Sequence, residues 1–236
     1  TDSDIDDKAG FLYLTSFAFD TSVASIWGAL SSGRNLHILS EETRFDLETI
    51  NQCFCLPDKY AVVYIPPILL AELEPGANKI IPRVIVSGET ISQTLVNQYL
   101  SRTLLINEYG PTENSVCSTF HHYKDGDAAN QIGQCIGGVN AYVLDTFCNL
   151  VPYGVSGELY LSGVGLGRGY LNQKALTQNA FIENMKGFDF PLYKTGDLVK
   201  RQRDGSLLFE GRVDDQVKIR GFRIELGEIE QQIQSH

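Results

Sequence analysis

The 236-residue chain is 43% hydrophobic and 20% charged, with a formal net charge of −10. That apolar fraction excludes a disordered chain, and the acidic balance argues against a non-specific nucleic-acid or anionic-membrane binder, which needs a basic face. No apolar run is long enough to span a bilayer, and the start, Thr1-Asp2-Ser3-Asp4-Ile5-Asp6-Asp7, is acidic rather than leader-like and lacks Met, as expected of a piece of a longer chain.

Phe11 to Leu14 predicts a strand, and Ser22 to Leu30 a helix with Ser22 at its N-cap. Asn35 to Leu39 reads as a strand; Phe45 to Phe54 reads as a helix, with Leu47, Ile50 and Phe54 three and four residues apart. Tyr60 to Ile65 is a strand ended by Pro66-Pro67, and Arg83 to Val86 is another. Gly88, a helix from Ser92 to Leu100 and a strand from Thr103 to Ile106 follow. This alternation predicts an α/β unit with a largely parallel sheet.

After about Ser118 the texture changes to short strands separated by Gly and Pro: Asn140 to Leu144, Gly157 to Leu161, Asp197 to Lys200, Ser206 to Glu210 and Gln216 to Ile219. Leu226 to Ile233 reads as the start of a helix. The five cysteines, Cys53, Cys55, Cys117, Cys135 and Cys148, are odd in number and scattered, the pattern of reduced thiols in a cytoplasmic protein. Cys53 and Cys55 lack the usual zinc spacing, and the adjacent His121 and His122 diverge on any regular element, so no Cys/His metal site is expected.

Four segments carry candidate chemistry. Asn107-Glu108-Tyr109-Gly110-Pro111-Thr112-Glu113 follows a predicted strand end, where open α/β sheets bind ligands; it also reads as a loop whose Thr and Glu cap the next element. Gly157 to Tyr170 has a glycine at nearly every second position near its end, yet Arg168 stands where a dinucleotide loop needs its third glycine. Close backbone packing beside a strand is the favoured reading there. In Tyr193-Lys194-Thr195-Gly196-Asp197 an Asp follows a glycine turn, where it can accept two hydrogen bonds from a ribose diol; alone, such a string is an ordinary turn. Gly211 to Glu230 interleaves charges with Val217, Ile219, Ile224 and Leu226 at strand spacing, which equally describes a solvated, ion-paired hairpin.

In this order the segments resemble the adenylation domains of non-ribosomal peptide synthetases, within the adenylate-forming superfamily. Phe19-Asp20-Thr21-Ser22 is similar to that family's FDxS segment, Gly157 to Tyr170 to its GELYxxGxGLxRGY segment, and Gln216 to Glu230 to its most specific run. The resemblance covers nearly the whole chain. It implies a strand–helix alternating, parallel-type sheet followed by a β-rich unit, a distorted barrel, both part of the large N-terminal subdomain. It also implies boundaries at 1–118 (α/β, amino-acid pocket), 119–213 (β-rich, completing the nucleotide site) and 214–236 (hinge and start of a small C-terminal subdomain).

The resemblance further implies ATP-dependent activation of an amino acid as its adenylate, for loading onto the phosphopantetheine thiol of a peptidyl carrier protein beside other synthetase domains. By motif match Glu113 helps hold Mg²⁺ and Thr112 hydrogen-bonds the phosphates; Asn107 reads the adenine amino group and Tyr109 stacks on the base. Asp197 grips the ribose hydroxyls, Arg212 adds a cation on the ribose-phosphate side, and Phe209 lines the adenine region. Thr112, Glu113 and Arg212 are thus the catalytic candidates. Asp214 matches the hinge and Gly221 a loop approaching the thiol tunnel. Asp20 matches the carboxylate that pairs with the substrate ammonium, in a pocket lined by Thr21, Ala24, Tyr64, Ile85, Ser87, Glu108, Val116 and Cys117. The small Ala24 and the polar Tyr64, Ser87 and Glu108 favour a sizeable side chain with a polar end, tyrosine-like first and basic second. The family's phosphate loop and its C-terminal lysine have no counterpart between Thr1 and His236, so weak adenylation by these residues alone is expected. The alternatives are a non-catalytic nucleotide-binding remnant, an activator of aryl or fatty acids, and an α/β domain with chance motifs.

Overall fold

The computed structural model describes residues 9–74, 80–214, 217–219, 222–224, 229 and 232–233. Its first unit is ordered around β3 (Tyr60–Ile65), an uninterrupted buried run, as expected of a central parallel strand covered on both faces. Around it lie β1 (Gly10–Tyr13), β2 (Leu36–Ile38), β4 (Arg83–Ser87) and β5 (Leu104–Tyr109), in the order β2-β1-β3-β4-β5, every pair parallel. Helices α1 (Thr21–Ser31), α2 (Leu47–Phe54), α3 (Pro67–Ala71) and α4 (Gln93–Leu100) fill the connections.

The two sheet faces have separate cores. On one, Ile50 and Phe54 of α2, Leu70 of α3 and Leu95, Val96 and Tyr99 of α4 pack with Leu12, Val63, Val84, Val86 and Leu105. On the other, Ala24 and Ala29 of α1 meet Phe11, Val62, Tyr64, Ile85 and Ile106. Alternation along each strand sends its odd and even residues to these two cores.

Details of the sequence reading change at the helix starts. Helix α1 begins at Thr21 with Asp20 at the cap position and no side-chain cap bond; Ser22, the expected cap, is buried. Helix α2 begins two residues later than expected, because Asp46 caps it by accepting from the Thr49 N–H at 3.0 Å. Helix α4 begins at Gln93, one residue later than read, because Ser92 caps it by accepting from the Leu95 N–H at 3.2 Å. Pro67 not only ends β3 but occupies the first turn of α3, where its missing N–H costs nothing.

The second unit is antiparallel. Its strands are β6 (Thr119–His122), β7 (Gln131–Cys135), β8 (Val139–Leu144), β9 (Ser156–Gly163), β10 (Phe181–Ile182), β11 (Leu192–Arg201) and β12 (Leu207–Arg212), with helix α5 (Lys174–Ala180) before β10. They run in the order β6-β7-β12-β11-β9-β8, with β10 on β11. A separate hairpin pairs β13 (Val217–Ile219) with β14 (Phe222–Ile224) in antiparallel register. The α/β order and the change to β-rich structure agree with expectation, but the expected distorted barrel is an open sheet: no ladder closes β8 back onto β6 or β7 among the described residues. Strand β11 runs back to Leu192, because Gly196 sits in a bulge inside the strand rather than in a turn. Strands β6, β7 and β10 and helix α5 are absent from the sequence reading, being short or without a clear period.

The first unit ends at Glu108 and takes back His122–Ala129; the second holds Tyr109–His121 and resumes at Asn130. The border therefore lies inside β5, ten residues before the Ser118 boundary that the change of texture suggests. Tyr123 explains the return, since its N–H donates to the Leu105 carbonyl at 3.0 Å and its hydroxyl to that of Ala129 at 2.6 Å. Gly221 and most of the helix expected at 226–233 lie outside the described residues.

One close approach in the second unit is absolute. A side chain at Gly133 (φ +77) meets the Phe120 carbonyl oxygen at 1.8 Å, whereas one at Gly205 (φ +87) meets nothing nearer than 4.0 Å. Gly133→Ala is therefore expected to destabilise the domain by about 3 kcal/mol or more, and Gly205→Ala by about 1 kcal/mol, its cost being backbone strain alone. Denaturant titration of both variants checks this ordering; equal losses contradict the packing of β6 on β7.

Candidate functional site

In the first unit the expected pocket residues gather at the C-terminal ends of the parallel strands, where ligands bind in such sheets. The register aligns Tyr64 with Ile85 and Ile85 with Ile106, and one step further along places Ser87 beside Glu108. These residues share the face covered by α1, which contributes Ala24. The Tyr64 hydroxyl donates to Glu108 Oε1 at 3.4 Å. Asp20 and Thr21 stand half-buried at the start of α1. Asn107, next in the strand, faces the other way beside Val86, is buried, and hydrogen-bonds Tyr123. Val116 and Cys117, also expected in the pocket, belong to the second unit.

Burial pushes the Glu108 carboxyl up to about 7, only partly offset by the Tyr64 hydroxyl. The folded chain thus holds a proton that the unfolded chain releases above its ordinary value of 4.5.

The second unit holds the other group. Strand β5 ends at Tyr109, and the chain then turns through Gly110 and Pro111 into a 3₁₀ turn, Thr112–Asn114. Ser115 (φ 58) and Val116 (φ 73) both have left-handed backbones. The Cys117 N–H donates to the Ser115 carbonyl at 2.9 Å, making Val116 the centre of a positive-φ γ-turn, a strained conformation for a β-branched residue. The Ser118 N–H closes the loop onto the Tyr109 carbonyl at 2.8 Å. Thr112 is exposed and Glu113 half-buried, with Glu113 Oε1 accepting from the Tyr170 hydroxyl at 2.6 Å.

Asp197, on β11, is buried and its carboxylate is fixed from two sides. The Tyr109 hydroxyl donates to Oδ2 at 2.5 Å, and Arg212 Nη1 donates to Oδ1 at 2.8 Å. Its own N–H donates to Thr195 Oγ1 at 3.0 Å, and that hydroxyl donates to the Leu159 carbonyl at 2.7 Å. Arg212 faces Asp197 across the β11–β12 ladder. Its other nitrogens grip Asp214, Nε to Oδ1 and Nη2 to Oδ2, both at 2.6 Å. Burial opposes the guanidinium charge, but the Asp214 and Asp197 carboxylates outweigh it and hold the Arg212 pKa above its ordinary value. Burial first, and then the Asp197 charge, push the Tyr109 phenol well above 10, so it stays a donor. Phe209 packs against the same core as Tyr109, its backbone bonded to Asn130 in both directions, at 2.9 and 2.8 Å.

The second unit therefore brings together Tyr109, Asp197, Phe209, Arg212 and Asp214, and separately joins Glu113 to Tyr170. The anchoring hydroxyls of Tyr109, Thr195 and Tyr170 are absent from the sequence reading; no local signal marks a hydroxyl whose partner lies 88 or 57 residues away. The donor set suits a nucleotide. A carboxylate oxygen has lone pairs for two donors, so Asp197 can accept ribose hydroxyls while remaining anchored. Among the described residues no three His, Cys, Asp or Glu side chains form a metal cluster. A single carboxylate such as that of Glu113 fits Mg²⁺ in its usual phosphate-bound form, held by one or two carboxylates plus phosphate oxygens and water.

Residues 2–171 match the family described as AMP-binding enzyme, and the chain belongs to that family. Tyrocidine synthase 1 of Brevibacillus parabrevis is 38% identical over 224 residues, 94% of this chain and 20% of that protein. The holo form of PA1221, a non-ribosomal peptide synthetase protein containing adenylation and carrier domains, superposes with a TM-score of 0.85 and 28% identity. That match covers 98% of this chain and 42% of PA1221. The Vibrio cholerae adenylation domain AlmE, solved with glycyl-adenosine-5′-phosphate, superposes at 0.83 with 29% identity, covering 98% of this chain and 45% of AlmE. The chain thus has the fold of adenylation domains and spans less than half the length of these relatives.

Because the raised Glu108 pKa favours the protonated folded state, its stabilising contribution is complete below about 4.5 and is lost as pH rises to about 7. Thermal melting between pH 5 and 8 is expected to show wild-type stability falling by up to about 3 kcal/mol relative to Glu108→Gln. Parallel profiles for the two proteins contradict the buried setting of this carboxyl.

Proposed function

We propose that the chain is part of an amino-acid-activating adenylation domain of a non-ribosomal peptide synthetase, working in the cytoplasm. The substrate carboxylate attacks the α-phosphorus of ATP, the bond to pyrophosphate breaks, and the aminoacyl-adenylate forms. A carrier protein's phosphopantetheine thiol then takes the aminoacyl group and releases AMP, and neighbouring synthetase domains use the product. In such an in-line displacement, positioning and charge neutralisation dominate catalysis.

The observation that supports this reading most is the buried Asp197 carboxylate, locked by Tyr109 and Arg212 in a chain of the AMP-binding family. Preorganised in this way, Asp197 accepts the ribose hydroxyls without first reorganising. Tyr109 stacks on the base and Phe209 lines the adenine region. Arg212 holds the Asp197 carboxylate in place and carries positive charge on the ribose-phosphate side. Thr112 hydrogen-bonds phosphate oxygens, and Glu113 holds Mg²⁺, which when bound neutralises charge on the phosphates. Asp214, half exposed and gripped by Arg212, is the hinge from which residues 214–236 lead into a small C-terminal subdomain.

Asp20 pairs with the substrate ammonium, and the first unit's row of Thr21, Ala24, Tyr64, Ile85, Ser87 and Glu108 selects the side chain. The polar group of Tyr64, Ser87 and Glu108 favours a side chain with a polar end, tyrosine-like before basic.

ATP–pyrophosphate exchange by the full-length domain across an amino-acid panel tests the reading. Asp197→Ala is expected to reduce kcat/KM for ATP by about a hundredfold with every amino acid, the scale of lost hydrogen bonds to a charged group. Glu108→Ala is expected to change the order of preference among amino acids with little effect on ATP. Similar profiles for both variants contradict the division into nucleotide and selectivity groups.

A further inference from the structure

The glycine-rich 163–170 segment contains no nucleotide-loop pattern, yet it closes onto the turn that carries Glu113. The Gly167 N–H donates to the Glu113 carbonyl at 2.7 Å, and the Ser115 hydroxyl donates to the Gly165 carbonyl at 2.6 Å. At the end of the segment the Tyr170 hydroxyl reaches Glu113 Oε1 at 2.6 Å. The 3₁₀ turn is thus held once through its backbone, once through the side chain of Ser115 just after it, and once through the Glu113 carboxylate.

Tyr170 is itself fixed by the helix that follows. Its N–H donates to Thr177 Oγ1 at 2.9 Å, and that hydroxyl approaches the Tyr170 carbonyl at 3.3 Å. Gly169 (φ +116) allows this, because a side chain there meets Thr177 Cγ2 at 2.3 Å. The Tyr170 ring packs edge-on against Phe181 of β10 with centroids 5.7 Å apart, and Phe181 packs on Tyr193 of β11 at 5.1 Å. A phenol held at its backbone and its ring has few rotamers left, so its hydroxyl presents a stationary donor to Glu113.

We infer that Tyr170 is a positioning residue: its hydroxyl sets the orientation of the Glu113 carboxylate, with Thr177 and Phe181 holding the phenol in place. The inference rests on the reading of Glu113 as the carboxylate that helps bind the metal–nucleotide. An oxygen that accepts from a phenol keeps a second lone pair for a cation, so the hydrogen bond and metal binding are compatible. The donor confines the carboxylate to one rotamer before ATP arrives. Without it, Glu113 samples several orientations, and the ordering is done at the expense of metal affinity. Loss of such an outer partner typically weakens metal binding about 10- to 100-fold.

The test uses the full-length adenylation domain, titrating Mg²⁺ in pyrophosphate exchange and, separately, Mn²⁺ binding in the presence of ATP by water-proton relaxation. Tyr170→Phe keeps the ring packing and removes only the donor. It is expected to raise the half-saturating metal concentration about tenfold in both measurements, with the KM for the amino acid and the melting temperature unchanged. Thr177→Val keeps the phenol but frees its backbone, and an intermediate shift is expected. Glu113→Gln, measured alongside, separates the two levels of the argument. A large shift for Glu113→Gln with wild-type behaviour for both Tyr170→Phe and Thr177→Val overturns the inference and leaves the role of Glu113 intact. Wild-type metal dependence for Glu113→Gln overturns the role of Glu113, and the inference with it.

Discussion

Arg212 is shared between two carboxylates, and the order of the second unit's candidate site depends on that sharing. One nitrogen bonds Asp197 while two others clamp Asp214, so a single guanidinium ties the middle of β11 to the residues just beyond β12. A buried ion pair is not stabilising by default, because desolvating both charges costs several kcal/mol per ion. Here the cost is offset by further hydrogen bonds: Tyr109 on the second oxygen of Asp197, and the Thr195 carbonyl on Arg212 at 3.2 Å. The network therefore holds the Asp197 carboxylate in one orientation inside the protein. The β11–β12 register sets Asp197 opposite Arg212, and the irregularity against β9 between Lys194 and Leu198 carries the Thr195–Asp197 stretch out of the regular ladder.

Backbone strain is concentrated in the neighbouring loop. Ser115 and Val116 take left-handed conformations in succession, which non-glycine residues, and β-branched ones above all, adopt at a cost of about 1–3 kcal/mol each. The surroundings over-determine the shape: Ser118 bonds back to Tyr109, and Gly165 and Gly167 are bonded to Ser115 and Glu113. Such a cost is sustained where neighbouring contacts fix a turn in one shape. The glycines of the 163–170 segment are best understood as space for this contact, since Gly165 and Gly167 both lie near the backbone of residues 113–115.

The first unit follows a different logic. Its parallel strands place one row of side chains, Tyr64, Ile85 and Ile106, beneath α1 and a second row, Ser87 and Glu108, at the strand ends. Apolar packing fills the first row and leaves polar groups in the second. Glu108 is the sharpest feature, a half-buried carboxyl that desolvation pushes up to about 7. Within β5, alternation separates it from Asn107, which joins the opposite core, so adjacent residues of one strand serve different surroundings.

Much of this was legible in the residues themselves. Hydrophobic period, proline and glycine positions specified most strands and helices of the first unit, because parallel βα units repeat a local pattern that short windows capture. The order of the motifs sufficed to name the family. Less was legible where structure depends on distant partners: β11 looked like a turn at Gly196, α5 carried no apolar face, and the open sheet looked like a barrel. The roles of Tyr109, Thr195 and Tyr170 as anchors arose only from folding, since each hydroxyl bonds a group 36 to 88 residues away. Residue type and spacing determine which chemistry a chain can carry. Which oxygen meets which donor is decided by strand register and packing, because those interactions act through space and leave no trace in neighbouring residues.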